Sequence, residues 1–266
     1  MEKRKAREML SMAQPARMAS VFANFRQYLL GWETETGGRA GYGVERFRSG
    51  LATPQFNGVV RLVSPSATGA AVAAIRRDMA GVPWWWWVGP DSPDSTAGLL
   101  RCHGGQEVAS LPVMVRSLAP PDGPLPAHGG LLVEEVRDPR RLAELVSTYR
   151  TSMGIGPALQ DGMVRIESRR ADNGDIVRLA AVLEGRVVGT TTVIAAHGVA
   201  GVFLVHVARA HRGQGVGAAL TAAALRVGRE RGMGVAALVA SPAGEALYRR
   251  FDFTPVWGYR LFGFPA

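Results

Sequence analysis

Along the second half of the chain, apolar residues change period from one stretch to the next. In DPRRLAELVSTY, Leu142, Leu145, Val146 and Tyr149 recur at threes and fours, which predicts an amphipathic helix. Asp138 stands where an N-cap belongs and Pro139 falls in the first turn. From Asp175 to Ala208 the helical period is lost in β-rich runs, broken by the turn signals Glu184-Gly185 and His197-Gly198; three antiparallel strands are expected. A second helical pattern follows Gly217 and closes at Gly232 and Gly234. VAALVA, Val235 to Ala240, is the uninterrupted apolar run of a strand covered on both faces. A short helix opening at Pro242, with Ala243, Leu247 and Phe251 on one side, and a last strand in TPVWGYRLFGF complete this half.

The first half repeats the middle of that order. FNGVVRLVS reads as a strand, SATGAAVAAIRRDMAG as a helix, PWWWWVGP as a strand, SPDSTAGLLRCHGG as a helix and EVASLPVMVRSL as strand material. Between the halves RSLAPPDGPLPAHGG, Arg116 to Gly130, is rich in Pro and Gly and lacks periodicity, which predicts a linker. The expected class is α/β (α+β), in lobes 1–118 and 131–266 joined by residues 119–130. ETETGGRAGYGVERFRSG, Glu33 to Gly50, reads as a loop or a lid.

Composition changes this picture little. A hydrophobic share of 47% over 266 residues supports a sizeable core and argues against disorder. Arg17 and Arg26 interrupt any apolar run that would serve as a signal peptide. The longest uncharged stretch, Gly189 to Ala208, contains His197, His206 and three threonines, and fits a β-hairpin better than a membrane helix. One cysteine, Cys102, rules out an intramolecular disulfide and points to the cytoplasm; the Ala, Gly and Arg usage fits a GC-rich bacterial genome. The formal charge of +9 comes from scattered Lys and Arg, which suits an anionic small molecule better than a nucleic-acid groove.

The candidate chemistry lies at the start of the second helical pattern. Gly213, Gly215 and Gly217 stand two apart where a helix begins, although glycine costs about 1 kcal/mol against alanine within one. The first turn of a helix presents unpaired N–H groups and partial positive charge, an anion site that glycines let a diphosphate approach closely. Arg212 adds a fork of donors matched to phosphate oxygens. A glycine turn that only reverses the chain is the plain alternative. The dinucleotide fingerprint and the P-loop are both missing: there is no Gly-x-Gly-x-x-Gly with a following acid, and no Gly-Lys-Ser/Thr.

In this setting Leu131 to Phe264 resembles the GNAT acetyltransferase superfamily. Arg212-Gly213-Gln214-Gly215-Val216-Gly217 matches its coenzyme A motif, Arg/Gln-x-x-Gly-x-Gly/Ala; Val202 to Val207 lies where its fourth strand lies; and LVASPAGEALYRRFDF is similar to its Tyr-bearing helix before a Gly-Phe pair. The first half is similar to the degenerate leading lobe of bacterial two-lobe members, with no arginine and only Gly69 at its helix start.

The resemblance implies a mixed, mostly antiparallel sheet flanked by helices and acetyl transfer from acetyl-CoA to a primary amine, with no metal. It also implies one coenzyme site, in the second lobe. It places Val205, His206 and Val207 along the pantetheine, Arg212, Gly213, Gln214, Gly215, Val216, Gly217 and Ala218 around the pyrophosphate, Ser241 where many members have Asn, and Tyr248 as general acid. Two departures stand out: Phe251-Asp252-Phe253 replaces the usual Leu-Gly-Phe, and Ser241 replaces Asn. The changed turn keeps open a non-catalytic acyl-CoA-binding regulator.

No general base is assigned. The side chain of His206 is expected to point away from Val205 and Val207, and Glu167, Glu184 and Glu245 read as surface acids. Trp84 to Trp87 reads either as a buried strand or as aromatic faces open to an acceptor.

Overall fold

The computed structural model describes residues 14–34, 39–40, 43–119 and 129–264. Most of the expected linker, 120–128, lies outside the described residues, as do 35–38 and 41–42 of the expected loop. Eleven strands form one sheet: β1 (Arg39–Ala40), β2 (Val44–Arg48), β3 (Asn57–Leu62), β4 (Trp85–Val88), β5 (Gln106–Ser117), β6 (Leu132–Glu135), β7 (Ile176–Leu183), β8 (Arg186–Ala196), β9 (Val199–Val207), β10 (Val235–Val239) and β11 (Thr254–Gly263). The helices are α1 (Gln14–Leu30), α2 (Thr68–Asp78), α3 (Thr96–Cys102), α4 (Pro139–Ser152), α5 (Gln160–Arg169), α6 (Val216–Glu230) and α7 (Glu245–Arg249).

The strand order is β1-β2-β3-β4-β11-β5-β10-β9-β8-β7-β6, antiparallel except for β3 with β4 and β9 with β10. Each half therefore completes the sheet of the other. β5, from the first half, pairs with β10, while β11, the last strand of the chain, pairs with β4; β5 and β11 pair with each other at the centre.

Local chemistry explains the elements. The Asp138 side chain accepts from the Arg141 N–H at 2.9 Å and caps α4. Both hairpin turns of the β7–β8–β9 meander adopt positive φ at two successive residues, Glu184-Gly185 at 51° and 77° and His197-Gly198 at 57° and 73°, as tight hairpins require. Asp252 takes the left-handed conformation itself, φ 59°, where glycine is usual, and Phe253 N–H closes the turn on the Tyr248 carbonyl at 3.1 Å. That is how the chain manages without the expected glycine.

Three sequence expectations change. The helix expected from Pro242 is shorter, beginning at Glu245 after a turn, because Ser241 C=O accepts from both Gly244 and Glu245 N–H. The segment expected to be a loop or lid contains β1 and β2. α1, which no motif announced, covers the middle of the sheet. Val21, Phe22, Phe25 and Leu29 form its apolar face and pack with α4 and α5 in one core cluster. The opposite face of the sheet is covered by α6 and α7 in one half and by α2 and α3 in the other.

Candidate active site

The parallel pair β9 and β10 is bonded only from Val199–Gly201 to Val235–Ala237. Beyond that point β9 continues beside β8, while Leu238 and Val239 of β10 stay with β5. The two strands part, and the β10-facing backbone groups of β9 from Val202 onward have no strand partner on that side.

A bulge shapes the free length of β9. Thr190 pairs with His206 and Thr192 with Phe203, so the single Thr191 stands opposite Leu204 and Val205. Leu204 is held at φ 51°, a conformation that disfavours leucine. The threonine hydroxyls hold it there: Thr190 Oγ1 donates to the Leu204 carbonyl at 2.8 Å and Thr191 Oγ1 to that of Phe203 at 3.2 Å. The bulge puts Phe203 and Leu204 on the α1–α4–α5 face, and Val202 and Val205 on the α6–α7 face. This device was not read from the sequence; the buried triplet Thr190 to Thr192 was its signal.

Beyond the end of β9 comes the glycine loop. Gly213 at φ 75° and Gly215 at φ 82° are both left-handed, and Gly215 is the N-cap of α6. Alternating such residues turns successive N–H groups to one side, a concavity suited to anions. Arg212, Gly213, Gln214 and Gly215 are exposed, so the loop is not packed shut. The first half has no counterpart: Pro65–Ala67 leads into α2 and none of the residues 64–69 has positive φ.

Most of the predicted residues converge at this end of the sheet. A Cβ on Gly217 would lie 3.2 Å from Leu247 Cδ2 and 3.8 Å from Val207 Cγ2, so the loop, the end of β9 and α7 meet there. Ala218 is half-buried in the α6 cluster. Ser241 lies exposed just past β10, and its Oγ and the Tyr248 ring both border Gly244. Tyr248 is 7% exposed, packs edge-on to Phe253 and has no hydrogen bond from its hydroxyl among the described residues. Burial pushes its pKa up to about 12.

Arg212 and His206 lie differently from the rest. Arg212 directs Nε to the Val207 carbonyl at 3.1 Å and a second nitrogen to Ser152 Oγ at 3.3 Å, so its fork is turned inward. His206 faces away from Val205 and Val207, with Nδ1 3.0 Å from the same Ser152 Oγ. Since the guanidinium only donates, the Ser152 hydroxyl is free to donate to Nδ1, which puts the ring proton on Nε2. Burial first, and the Arg212 charge second, push His206 down to about 4. An unfolded imidazole takes up its proton near 6.5, before the folded one does, so stability is full above pH 6.5 and falls towards pH 4. His206→Gln is expected to remove a loss of about 3 kcal/mol over that range, measured as the wild-type-minus-variant difference in urea unfolding at pH 7 and pH 4.5.

One expectation about the acids is corrected. Glu167 is no surface acid: it is 2% exposed, bonded by Arg178 at 2.6 Å and by the Tyr149 hydroxyl at 3.2 Å. Burial and that carboxylate hold the Tyr149 phenol well above its ordinary range. The four tryptophans alternate across the sheet. Trp86 and Trp87 are buried, whereas Trp84 and Trp85 border a separate groove of about 730 Å³ with Pro54 and Phe264. None of the four lines the cavity where β9 and β10 part.

Residues 142–253 match the model of the acetyltransferase (GNAT) family. That stretch lies within the C-terminal half. No curated protein matches the sequence. Among solved structures, a GCN5-related N-acetyltransferase from Kribbella flavida is 19% identical with a TM-score of 0.71, over 94% of this chain and 95% of that one. A second, from Sphaerobacter thermophilus, is 20% identical with a TM-score of 0.62, over 83% of this chain and 75% of its own. A tandem GNAT protein from the clavulanic acid biosynthesis pathway is 17% identical with a TM-score of 0.56, over 93% and 95%. The GNAT fold thus extends over the described halves as one mixed sheet. No helix among the described residues is long and apolar enough to cross a membrane.

Proposed function

We propose that this chain is an acetyl-CoA-dependent N-acetyltransferase acting on a primary amine, with one coenzyme site in residues 131–266 and residues 1–118 as a degenerate lobe. The open loop with left-handed Gly213 and Gly215, set where β9 and β10 part, carries this reading. Its N–H groups and those of Val216, Gly217 and Ala218 would hold the pyrophosphate, joined by Arg212 once its fork turns outward. The partnerless backbone of β9 around Val205 to Val207 would bind the pantetheine amides, and a β9 N–H would polarise the thioester carbonyl. Acetyl-CoA supplies the activated acyl group.

Tyr248 stays protonated throughout the physiological range and borders Gly244 together with Ser241, just past the end of β10. Its hydroxyl is a donor for the departing sulfur, whose own pKa burial raises in the same direction. Tyr248→Phe is expected to lower kcat about 100-fold and to leave acetyl-CoA affinity within about twofold, as read by stopped-flow thiol release and calorimetry.

One observation favours a regulatory acyl-CoA binder instead: the cavity beneath the opening measures only about 10 Å³. Calorimetry with acetyl-CoA, followed by thiol release over a panel of primary amines, separates the two. Tight binding without turnover on any amine supports the regulator, and absence of binding defeats both.

A further inference from the structure

A groove of about 630 Å³ follows the seam between the two halves, and none of the residues assigned to the coenzyme lines it. One wall comes from the first half, where α1 ends and where the chain leaves β2; the other is α5, from the second half. Seams between structural units are where small-molecule sites concentrate, and this volume is that of a site for one such molecule.

The period of α5 builds its wall. Gly162, Arg165, Ile166 and Arg169 recur at threes and fours, so they share one helix face, and all four line the groove. Ile166 and Leu51, each 8% exposed and both part of the core cluster beneath, give the groove an apolar floor. Gly162 makes room for that floor: a Cβ there would lie 2.7 Å from Leu51 Cδ2. Gly50, at φ 76°, has nothing within 4 Å of where a Cβ would stand, which keeps the facing rim open.

Two of the charged groups lining the groove are already engaged. The Glu33 carboxylate accepts from Arg46 at 3.0 Å and from the Arg48 N–H at 3.1 Å. Arg170 gives two nitrogens to the Asp172 carboxylate, each at 2.9 Å, and also bonds the Tyr28 carbonyl at 3.1 Å. Arg165 and Arg169 differ. Both are exposed, they stand one turn apart, and their side chains make no hydrogen bond or ion pair among the described residues. Like charges at that spacing repel each other, a cost that a shared anion removes.

We propose that this groove binds a phosphate monoester with an apolar body, the phosphate held between Arg165 and Arg169 and the body lying on Leu51 and Ile166. A phosphate monoester carries close to two negative charges at neutral pH, which balances the two guanidinium groups. Each guanidinium fork also matches a pair of phosphate oxygens. A carboxylate brings only one charge, and inorganic phosphate leaves the apolar floor uncovered. The site does not depend on the acyl-transfer reading.

Phenyl phosphate is the probe, measured by calorimetry. It is expected to bind at least about tenfold more tightly than either phenylacetate or inorganic phosphate. The double variant Arg165→Gln, Arg169→Gln is expected to lose about tenfold or more of that affinity and to bind acetyl-CoA as the wild type does. Equal affinity for the three probes, no binding of phenyl phosphate, or an unchanged affinity in the variant overturns the assignment. A wild-type crystal soaked in phenyl phosphate gives a readout that needs no variant. Phosphate oxygens about 3 Å from nitrogens of both guanidinium groups support the site; a phosphate seated only on the glycine loop, or nowhere, defeats it.

Discussion

Gly215→Ala is expected to weaken acetyl-CoA binding at least about tenfold, with calorimetry as the measurement. Gly215 caps α6 at φ 82°, ψ −6°. An alanine held there costs about 1–2 kcal/mol, and relaxing to negative φ re-aims the N–H groups of Val216 and Gly217 away from the bound phosphate. The strain itself is also found elsewhere in the chain. Gly185, in the β7–β8 turn, has φ 77° and open space around it, so Gly185→Ala imposes the same backbone penalty far from the glycine loop. The pair of variants separates stability from binding: both lower the unfolding free energy by similar amounts, and only Gly215→Ala loses the coenzyme. Equal binding in the two would remove the glycine loop from the site.

Glu167→Ala is expected to lower the unfolding free energy by about 3–5 kcal/mol in urea titrations. The Arg178 side chain is only 10% exposed, and it bonds the Glu167 carboxylate through two nitrogens as well as the Glu167 carbonyl. Removing the carboxylate leaves a buried guanidinium uncompensated and takes the acceptor from the Tyr149 hydroxyl. Glu245→Ala is the contrast. Its partner Arg249, one turn on along α7, is 55% exposed, and a surface pair of that kind contributes no more than about 0.5 kcal/mol. A large loss at Glu245, or a small one at Glu167, would contradict this division.

The two acids looked alike in the sequence because burial is not a local property. Nothing within several residues of Glu167 announces that Arg178, eleven positions on, will be folded against it. α1 was missed for a related reason. The spacing of Val21, Phe22, Phe25 and Leu29 was there to be read as a helix face, but the polar residue that ties this helix to the sheet, Asn24, bonds carbonyls 170 to 175 positions away. The bulge at Leu204 likewise depends on hydroxyls from a neighbouring strand.

What the sequence determined by itself was everything governed by short-range backbone chemistry. The capped helix at Asp138, the two hairpin turns and the loop from Arg212 to Gly217 follow from which residues tolerate which φ, and that loop together with the resemblance around it located the proposed coenzyme site. Only the tertiary structure decided that β5 and β11 change places between the halves, that Arg212 turns inward to Ser152, and that Asn24 ties α1 to the β8–β9 hairpin. Those arrangements arise from packing between segments sixty or more residues apart, where each side chain's surroundings are set by the whole fold and no spacing along the chain records them.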